Sequence, residues 1–217
     1  MSELEKKVVI IDYGVGNLFS IQNACLAVGI TPTVSSEAKI IQDASGVILP
    51  GVGAFGDAIK KLENFDLISV VRDVAASGKI LMGVCLGMQL MMEESLEFGS
   101  HKGLGLFSGT AKKFETNLSQ GIKVPQVQWN TIQKTESPHN PDFFHGIDPD
   151  TFMYFVHSYY VVSDDPRQVL AWSEYAGQRF CAAIQRDNVI GMQFHPERSG
   201  PQGIQIYKNF KSCLMAC

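Results

Sequence analysis

What this 217-residue chain lacks removes several classes of protein at the outset. It has no CxxC pair. Its five cysteines, Cys25, Cys85, Cys181, Cys213 and Cys217, are odd in number and irregularly spaced, which argues against a disulfide framework or a zinc site and for reduced thiols. The histidines are scattered and form no HExxH, so no metal is expected. No face is obviously basic. The only lysine pairs, Lys6-Lys7, Lys60-Lys61 and Lys112-Lys113, are isolated and the net charge is −4, so no nucleic-acid partner is expected. No apolar run approaches the roughly 18 residues of a membrane helix. The best candidate, residues 80–92, is broken by Gly83, Cys85, Gly87 and Gln89. The opening stretch MSELEKKVVIID has no apolar h-region and no small-residue cleavage site. The expectation is a cytoplasmic protein without a membrane partner. Internal repeats and long linkers are absent too, which predicts a single domain over residues 1–217.

What is present is ordinary core-forming composition, 45% hydrophobic and 18% charged. The first half alternates short apolar runs with helical patterns. Residues 8–11, 31–34, 46–49 and 79–84 read as buried strands, and 17–28, 55–62, 66–76 and 87–94 as helices. Alternation of this kind implies a parallel sheet covered on both faces. From about residue 103 the pattern changes to short strands at 110–114, 123–127, 151–156, 159–162, 169–173, 180–185 and 189–194. Residues 135–149, rich in Pro, Asn, Asp and His, read as a surface loop. A last helix is expected over 201–214, with Pro201 at its start. The predicted fold class is α/β: a flavodoxin-like, open, mostly parallel sheet flanked by helices, with additional antiparallel strands in the second half.

The most informative stretch is Gly83-Val84-Cys85-Leu86-Gly87-Met88-Gln89. A buried strand runs straight into a helix with Cys85 at the junction and glycine two residues to either side. This is the arrangement of a nucleophile elbow, in which the flanking positions crowd each other and must be small. The new helix's first N–H groups favour a thiolate, and the Leu86 N–H points where an oxyanion would form. A buried structural cysteine fits the same turn, so the elbow alone assigns nothing.

A cysteine nucleophile needs a base held by a third group. Gly191-Met192-Gln193-Phe194-His195-Pro196-Glu197 supplies both. A buried strand ends at Phe194, and His195 emerges at its C-terminal edge, where groups that bind and react collect in open α/β sheets. In extended chain i and i+2 share a side, so Glu197 can lie beside His195 and fix its tautomer. His157, in strand pattern without an acidic residue two positions away, is the weaker base candidate and ranks as a binding-site or core residue. Leu49-Pro50-Gly51-Val52-Gly53 also leaves a strand for a helix, and the N–H of Val52 or Gly53 could be a second oxyanion donor. Gly14-Val15-Gly16-Asn17-Leu18-Phe19 has Phe19 where a dinucleotide fingerprint needs its third glycine.

Together, Pro50 to Gly53, Gly83 to Gln89 and His195-Pro196-Glu197 resemble the class I, triad-type glutamine amidotransferases. Ile11-Asp12-Tyr13-Gly14-Val15-Gly16-Asn17-Leu18, Tyr154-Phe155-Val156-His157-Ser158-Tyr159 and the chain length narrow this to the glutaminase subunits of imidazole glycerol phosphate synthase. The resemblance covers essentially the whole chain. It implies that Cys85, His195 and Glu197 form a catalytic triad hydrolysing L-glutamine without a cofactor, and that Gln89 and the backbone of His157, Ser158 and Tyr159 hold the glutamine. It also implies a heterodimer with a (β/α)8-barrel cyclase subunit, which receives the ammonia in histidine biosynthesis. Two segments depart from the family. Where its members read Pro-His-Met-Gly-Trp-Asn, this chain has Pro125-Gln126-Val127-Gln128-Trp129-Asn130, and the usual lysine after the triad glutamate is Arg198. The alternative acceptor is a sugar-modifying amidotransferase of surface-polysaccharide synthesis, served by a paralogue of the same family.

Overall fold

The computed structural model describes residues 6–115, 123–135 and 141–216. The first five residues, residues 136–140 of the expected loop and Cys217 lie outside them.

The alternating half folds as its pattern demands. Strand β1 (Val8–Ile11) leads into helix α1 (Leu18–Ala27), whose N-cap Asn17 accepts the Ser20 N–H. Then come β2 (Thr33–Ser35), the short α2 (Ala38–Gln42), β3 (Gly46–Leu49), α3 (Phe55–Asn64), α4 (Leu67–Ala76), β4 (Ile80–Val84) and α5 (Leu86–Leu90). Strands β1, β3 and β4 are buried at every position, which is why they read as unbroken apolar runs. The expected helix over 87–94 stops after Leu90, and Met92 to Ser95 form strand β5 instead. Met92 has joined a sheet edge beside Phe107, a long-range pairing that periodicity over a few residues cannot reveal.

The second half contributes β6 (His101–Lys102), β7 (Phe107–Lys113), β8 (Gln126–Lys134), β9 (Thr151–His157), β10 (Tyr159–Ser163), β11 (Val169–Tyr175), β12 (Gln178–Arg186) and β13 (Val189–Met192), then helix α6 (Gly200–Ala216). Strand β8 begins three residues later than expected and runs well past 127. The expected surface loop is a loop only in part. Phe143, Phe144 and Ile147 are buried in the core, because polar neighbours mask three apolar anchors from a composition count.

Among the described residues the main sheet runs β2-β1-β3-β4-β13-β12-β10-β7-β5-β6, with β11, β8 and β9 branching from β12. Strands β2, β1, β3, β4 and β13 are mutually parallel. The second-half additions pair antiparallel, apart from β5 with β7. Two apolar clusters, one on each face, sandwich the sheet. No helix among the described residues is long and apolar enough to cross a membrane.

The placement of β13 matters most. It comes last in sequence yet lies beside β4, with Met192 opposite Val84 and Gly191 opposite Gly83. On the other side of β4, Leu49 of β3 faces Gly83. Three neighbouring parallel strands therefore end together, and the chain leaving each enters one crevice.

Candidate active site

Cys85 continues the β4–β13 ladder by one bond, its N–H donating to the Met192 carbonyl at 2.7 Å. It then turns sharply, with φ +54 and ψ −111, a conformation a side-chain-bearing residue adopts only under constraint. The flanking glycines supply that constraint. A Cβ on Gly83 would meet Met91 Cε at 2.7 Å and the Gly87 carbonyl carbon at 2.9 Å. A Cβ on Gly87 would collide with the Leu49 carbonyl oxygen of β3. Helix α5 thus sits directly on the strand ends. Leu86 occupies its first turn, where helix N–H groups lack intrahelical partners.

The loop after β3 presses against the same turn. A Cβ on Gly51 would meet Leu86 Cβ at 2.8 Å and the Tyr13 hydroxyl at 3.0 Å. Tyr13, fully buried, donates its hydroxyl to the Pro50 carbonyl at 2.7 Å and anchors the loop where it leaves the strand. Burial, and then the nearby Cys85 sulfur, raise the Tyr13 pKa, so this donor stays protonated. At the loop's far end Glu97 Oε2 accepts the Phe55 N–H at 2.5 Å. The span of Val52 and Gly53, with Gly53 at φ +93, lies between these two anchors.

His195 comes off the end of β13 and is braced by β9. Its N–H donates to the Tyr154 carbonyl at 2.9 Å, the Ser199 hydroxyl donates to its carbonyl at 2.6 Å, and the Tyr154 N–H donates to that hydroxyl at 2.9 Å. The ring is buried, with Nδ1 2.8 Å from Glu197 Oε1, and the Glu197 side chain is wholly buried as well. Nδ1 facing a carboxylate carries a proton, which leaves Nε2 for the reacting side. Nε2 has no hydrogen-bond partner among the described residues, yet the ring feels the Cys85 charge. Burial by itself would lower the His195 pKa; the Cys85 sulfur and the Glu197 carboxylate override it and raise the pKa to about 10. Behind them the Tyr207 hydroxyl of α6 is buried near Glu197, and its pKa is raised, by burial first and then by that charge.

A cavity of about 320 Å³ joins these parts. Val52, Gly53, Cys85, Leu86, Gln89, His157, Ser158, Tyr159 and His195 all line it, so every residue expected to bind or react does so, apart from Glu197, which stands behind His195. His157 is a core residue as much as a lining one. It packs among Phe114, Phe155 and Phe180 at centroid distances of 5.2, 5.7 and 5.2 Å and shares Nδ1 with the Tyr159 carbonyl at 2.8 Å. Burial lowers its pKa to about 4 despite that bond, with the neighbouring His195 adding to the effect, so it is neutral near pH 7 and cannot replace His195 as a charged partner of a thiolate.

Three residues of the site were given no role by the sequence reading. Glu97 brings a carboxylate to the cavity wall from the turn after β5. Tyr13 bonds the Pro50 carbonyl of the loop after β3, and Gln193 reaches the Cys85 sulfur. Neither Gln193 nor Glu97 had a signal in the sequence: the first depends on the pairing of β13 with β4 and the second on the unexpected strand β5.

Known proteins resemble the chain along nearly its whole length. A model of the family described as glutamine amidotransferase class-I matches residues 9–213. The chain is 41% identical over 204 residues to the imidazole glycerol phosphate synthase subunit HisH of Sulfurimonas denitrificans, covering 94% of this chain and 96% of that one. It is 43% identical over 207 residues to the HisH subunit of Aquifex aeolicus, with the same coverage. Among solved structures, a glutamine amidotransferase superposes with a TM-score of 0.73 over 96% of this chain and 99% of that one, at 15% identity. PurLQS from Thermotoga maritima superposes with a TM-score of 0.70 over 97% and 98%, at 20% identity. At such identities these two likenesses bear on the fold alone.

Proposed function

The chain belongs to the class-I glutamine amidotransferases and, among them, to the HisH subunits, and we propose that Cys85, His195 and Glu197 carry the glutaminase reaction of this subunit. It hydrolyses L-glutamine to glutamate and ammonia within imidazole glycerol phosphate synthase, in histidine biosynthesis. The observation that supports the residue assignment most directly is the buried 2.8 Å contact of His195 Nδ1 with Glu197, in the same cavity wall as a cysteine held at positive φ.

The roles follow from the geometry. Cys85 Sγ, its proton passed to His195 Nε2, attacks the carboxamide carbon of glutamine. The carbonyl π electrons move onto oxygen, and that oxyanion is held by the Leu86 N–H and by the N–H of Val52 or Gly53. His195 returns the proton to the amide nitrogen, the C–N bond breaks, and ammonia leaves a glutamyl thioester. A water then loses a proton to His195 and adds to the thioester carbon, and collapse releases glutamate and the Cys85 sulfur. Glu197 keeps the imidazole in one tautomer and offsets its positive charge. Gln89 and the Ser158–Tyr159 backbone hold the substrate, and Glu97 supplies the negative charge that an α-ammonium group seeks.

We read residues 1–217 as one amidotransferase domain that works in the cytoplasm beside a (β/α)8-barrel cyclase subunit. The outer face of the β8–β9 pair supports a docking role. Val127 stands opposite Val156 and Trp129 opposite Tyr154, and Trp129 is half exposed next to a Tyr154 ring capped by the Arg198 guanidinium at 4.8 Å. An exposed aromatic-plus-arginine strip beside the cavity has the make-up of an interface core. The test is ammonia release from glutamine by the purified subunit with and without its cyclase. Cys85→Ala is expected to abolish it and the cyclase to raise it. An unchanged rate in Cys85→Ala would remove the nucleophile assignment, and no effect of the cyclase would remove the partner.

A further inference from the structure

The triad accounts for how the Cys85 proton leaves but not for what faces the sulfur afterwards. Among the described residues, two polar groups besides His195 make a hydrogen-bond contact with Sγ. The Val156 carbonyl, 3.9 Å away, accepts from the thiol and repels the thiolate. The Gln193 side chain is the other, with Nε2 3.8 Å from Sγ. Register puts it there: Val84 and Met192 are partners across β4 and β13, so the next residues, Cys85 and Gln193, leave the sheet side by side.

A side-chain amide can turn either its NH2 or its oxygen toward a neighbour, so the direction of this contact needs a cause. The Tyr159 carbonyl supplies one. It can only accept, and it receives Gln89 Nε2 at 2.9 Å and His157 Nδ1 at 2.8 Å. The Gln89 NH2 is thereby fixed toward Tyr159, and its second N–H reaches Gln193 at 3.0 Å. Gln193 must answer with Oε1. Its own NH2 then lies on the opposite side, toward Cys85. Gln193 is fully buried and Gln89 nearly so, so turning either amide round would leave buried polar atoms facing like atoms. One backbone carbonyl thus sets the polarity of two amides and directs an N–H at the sulfur.

We propose that Gln193 is a further catalytic residue: it donates to the Cys85 thiolate, and Gln89 and the Tyr159 carbonyl hold it in that orientation. The assignment rests on Cys85 being the nucleophile. A donor at this place serves the reaction twice. It offsets the charge on sulfur before attack, when Val156 opposes it, and again when the thioester collapses and sulfur must leave as an anion. Gln89 acquires a second role beside its place in the glutamine cavity, which is to point Gln193 the right way.

The test separates that role from substrate binding by leaving substrate out. Iodoacetamide alkylation of Cys85, followed on its peptide by mass spectrometry, needs the thiolate but neither glutamine nor the oxyanion donors. Gln193→Met keeps the volume and removes the donor. It is expected to alkylate roughly ten-fold more slowly at neutral pH, to recover in alkali, and to lose a similar factor in kcat, measured with the cyclase, at nearly constant KM. The Gln89 side chain bonds Tyr159 and Gln193 rather than the Cys85 sulfur, yet Gln89→Met is expected to slow alkylation as well, and the double variant to be no slower than Gln193→Met. A wild-type alkylation rate in folded Gln193→Met overturns the proposal. So does Gln89→Met that raises KM alone, and this second arm stands if Gln193→Met does not fold. Failure of the nucleophile assignment would appear separately, as ammonia release that survives Cys85→Ala.

Discussion

A histidine buried as deeply as His195 would ordinarily be neutral, because desolvation penalises the charged ring. His157, equally buried in an aromatic cage, follows that rule with a pKa near 4. His195 breaks it only because Cys85 and Glu197 flank it and raise its pKa to about 10. Two histidines in one cavity wall therefore carry different charges, and in the proposed reaction it is His195 that returns a proton to departing ammonia. The imidazolium form of His195 is present below its raised pKa and lost as pH climbs through it. Activity should accordingly fall on the alkaline side through about pH 10. Glu197→Gln keeps the shape but removes one of the charges that hold the pKa up. It is expected to move this alkaline limb to lower pH and to cut kcat by about 10²–10⁴-fold. A pH–rate profile of kcat/KM for both forms checks this; coincident limbs would deny Glu197 its role.

At the scale of elements, the reactive turn is made by three strand ends that crowd one short helix. Helix α5 has only five residues, so propensity contributes little, and it is held by contact with β3 and β4. Gly87 is where that contact is closest, its α-carbon lying against the Leu49 carbonyl. Gly87→Ala would push α5 off the sheet or bend the end of β3. We expect a loss of about 3 kcal/mol or more in stability, together with loss of activity, since the same shift moves Cys85, Leu86 and the Val52–Gly53 loop. The urea midpoint of the purified variant measures it. An unchanged midpoint would mean that the turn has slack the packing does not indicate.

For the whole molecule, the buried neutral His157 links folding to pH. The unfolded chain binds a proton near the ordinary histidine pKa of 6.5, whereas the folded chain resists until about 4. Between those values the unfolded state holds more protons, so stability is full above 6.5 and falls as pH drops toward 4. The shift corresponds to about 3 kcal/mol. His157→Phe, which fits the surrounding rings, should flatten this acid limb in urea unfolding at pH 7, 5.5 and 4.5. A limb of unchanged slope would place the acid sensitivity elsewhere. The departures at Gln126 and Gln128 bear on this scale too. Gln126 is buried opposite His157, with both side-chain polar atoms lacking partners among the described residues, while Gln128 is exposed near the apolar strip. Neither position lines the cavity around Cys85.

Much of the site could be read from residue order, because its parts are local. Glycine on both sides of Cys85, glycines after Pro50 and an i, i+2 histidine–glutamate pair are each dictated by backbone geometry within a few residues. The alternating first half was legible for a similar reason: strands buried on both faces must be apolar throughout, and the helices between them must be amphipathic. Tertiary structure alone decided what depends on distant segments meeting. Strand β5 took the second turn of an expected helix because Phe107 lay beside it, and Glu97 entered the cavity as a result. Phe143, Phe144 and Ile147 left an otherwise polar segment for the core. The sequence by itself pointed to Cys85, His195 and Glu197 as the proposed triad. Only the insertion of β13 beside β4 decided that Gln193 faces the sulfur and that one carbonyl, Tyr159, sets its direction, because hydrogen-bond polarity across four segments is a property of their register and of no single stretch of chain.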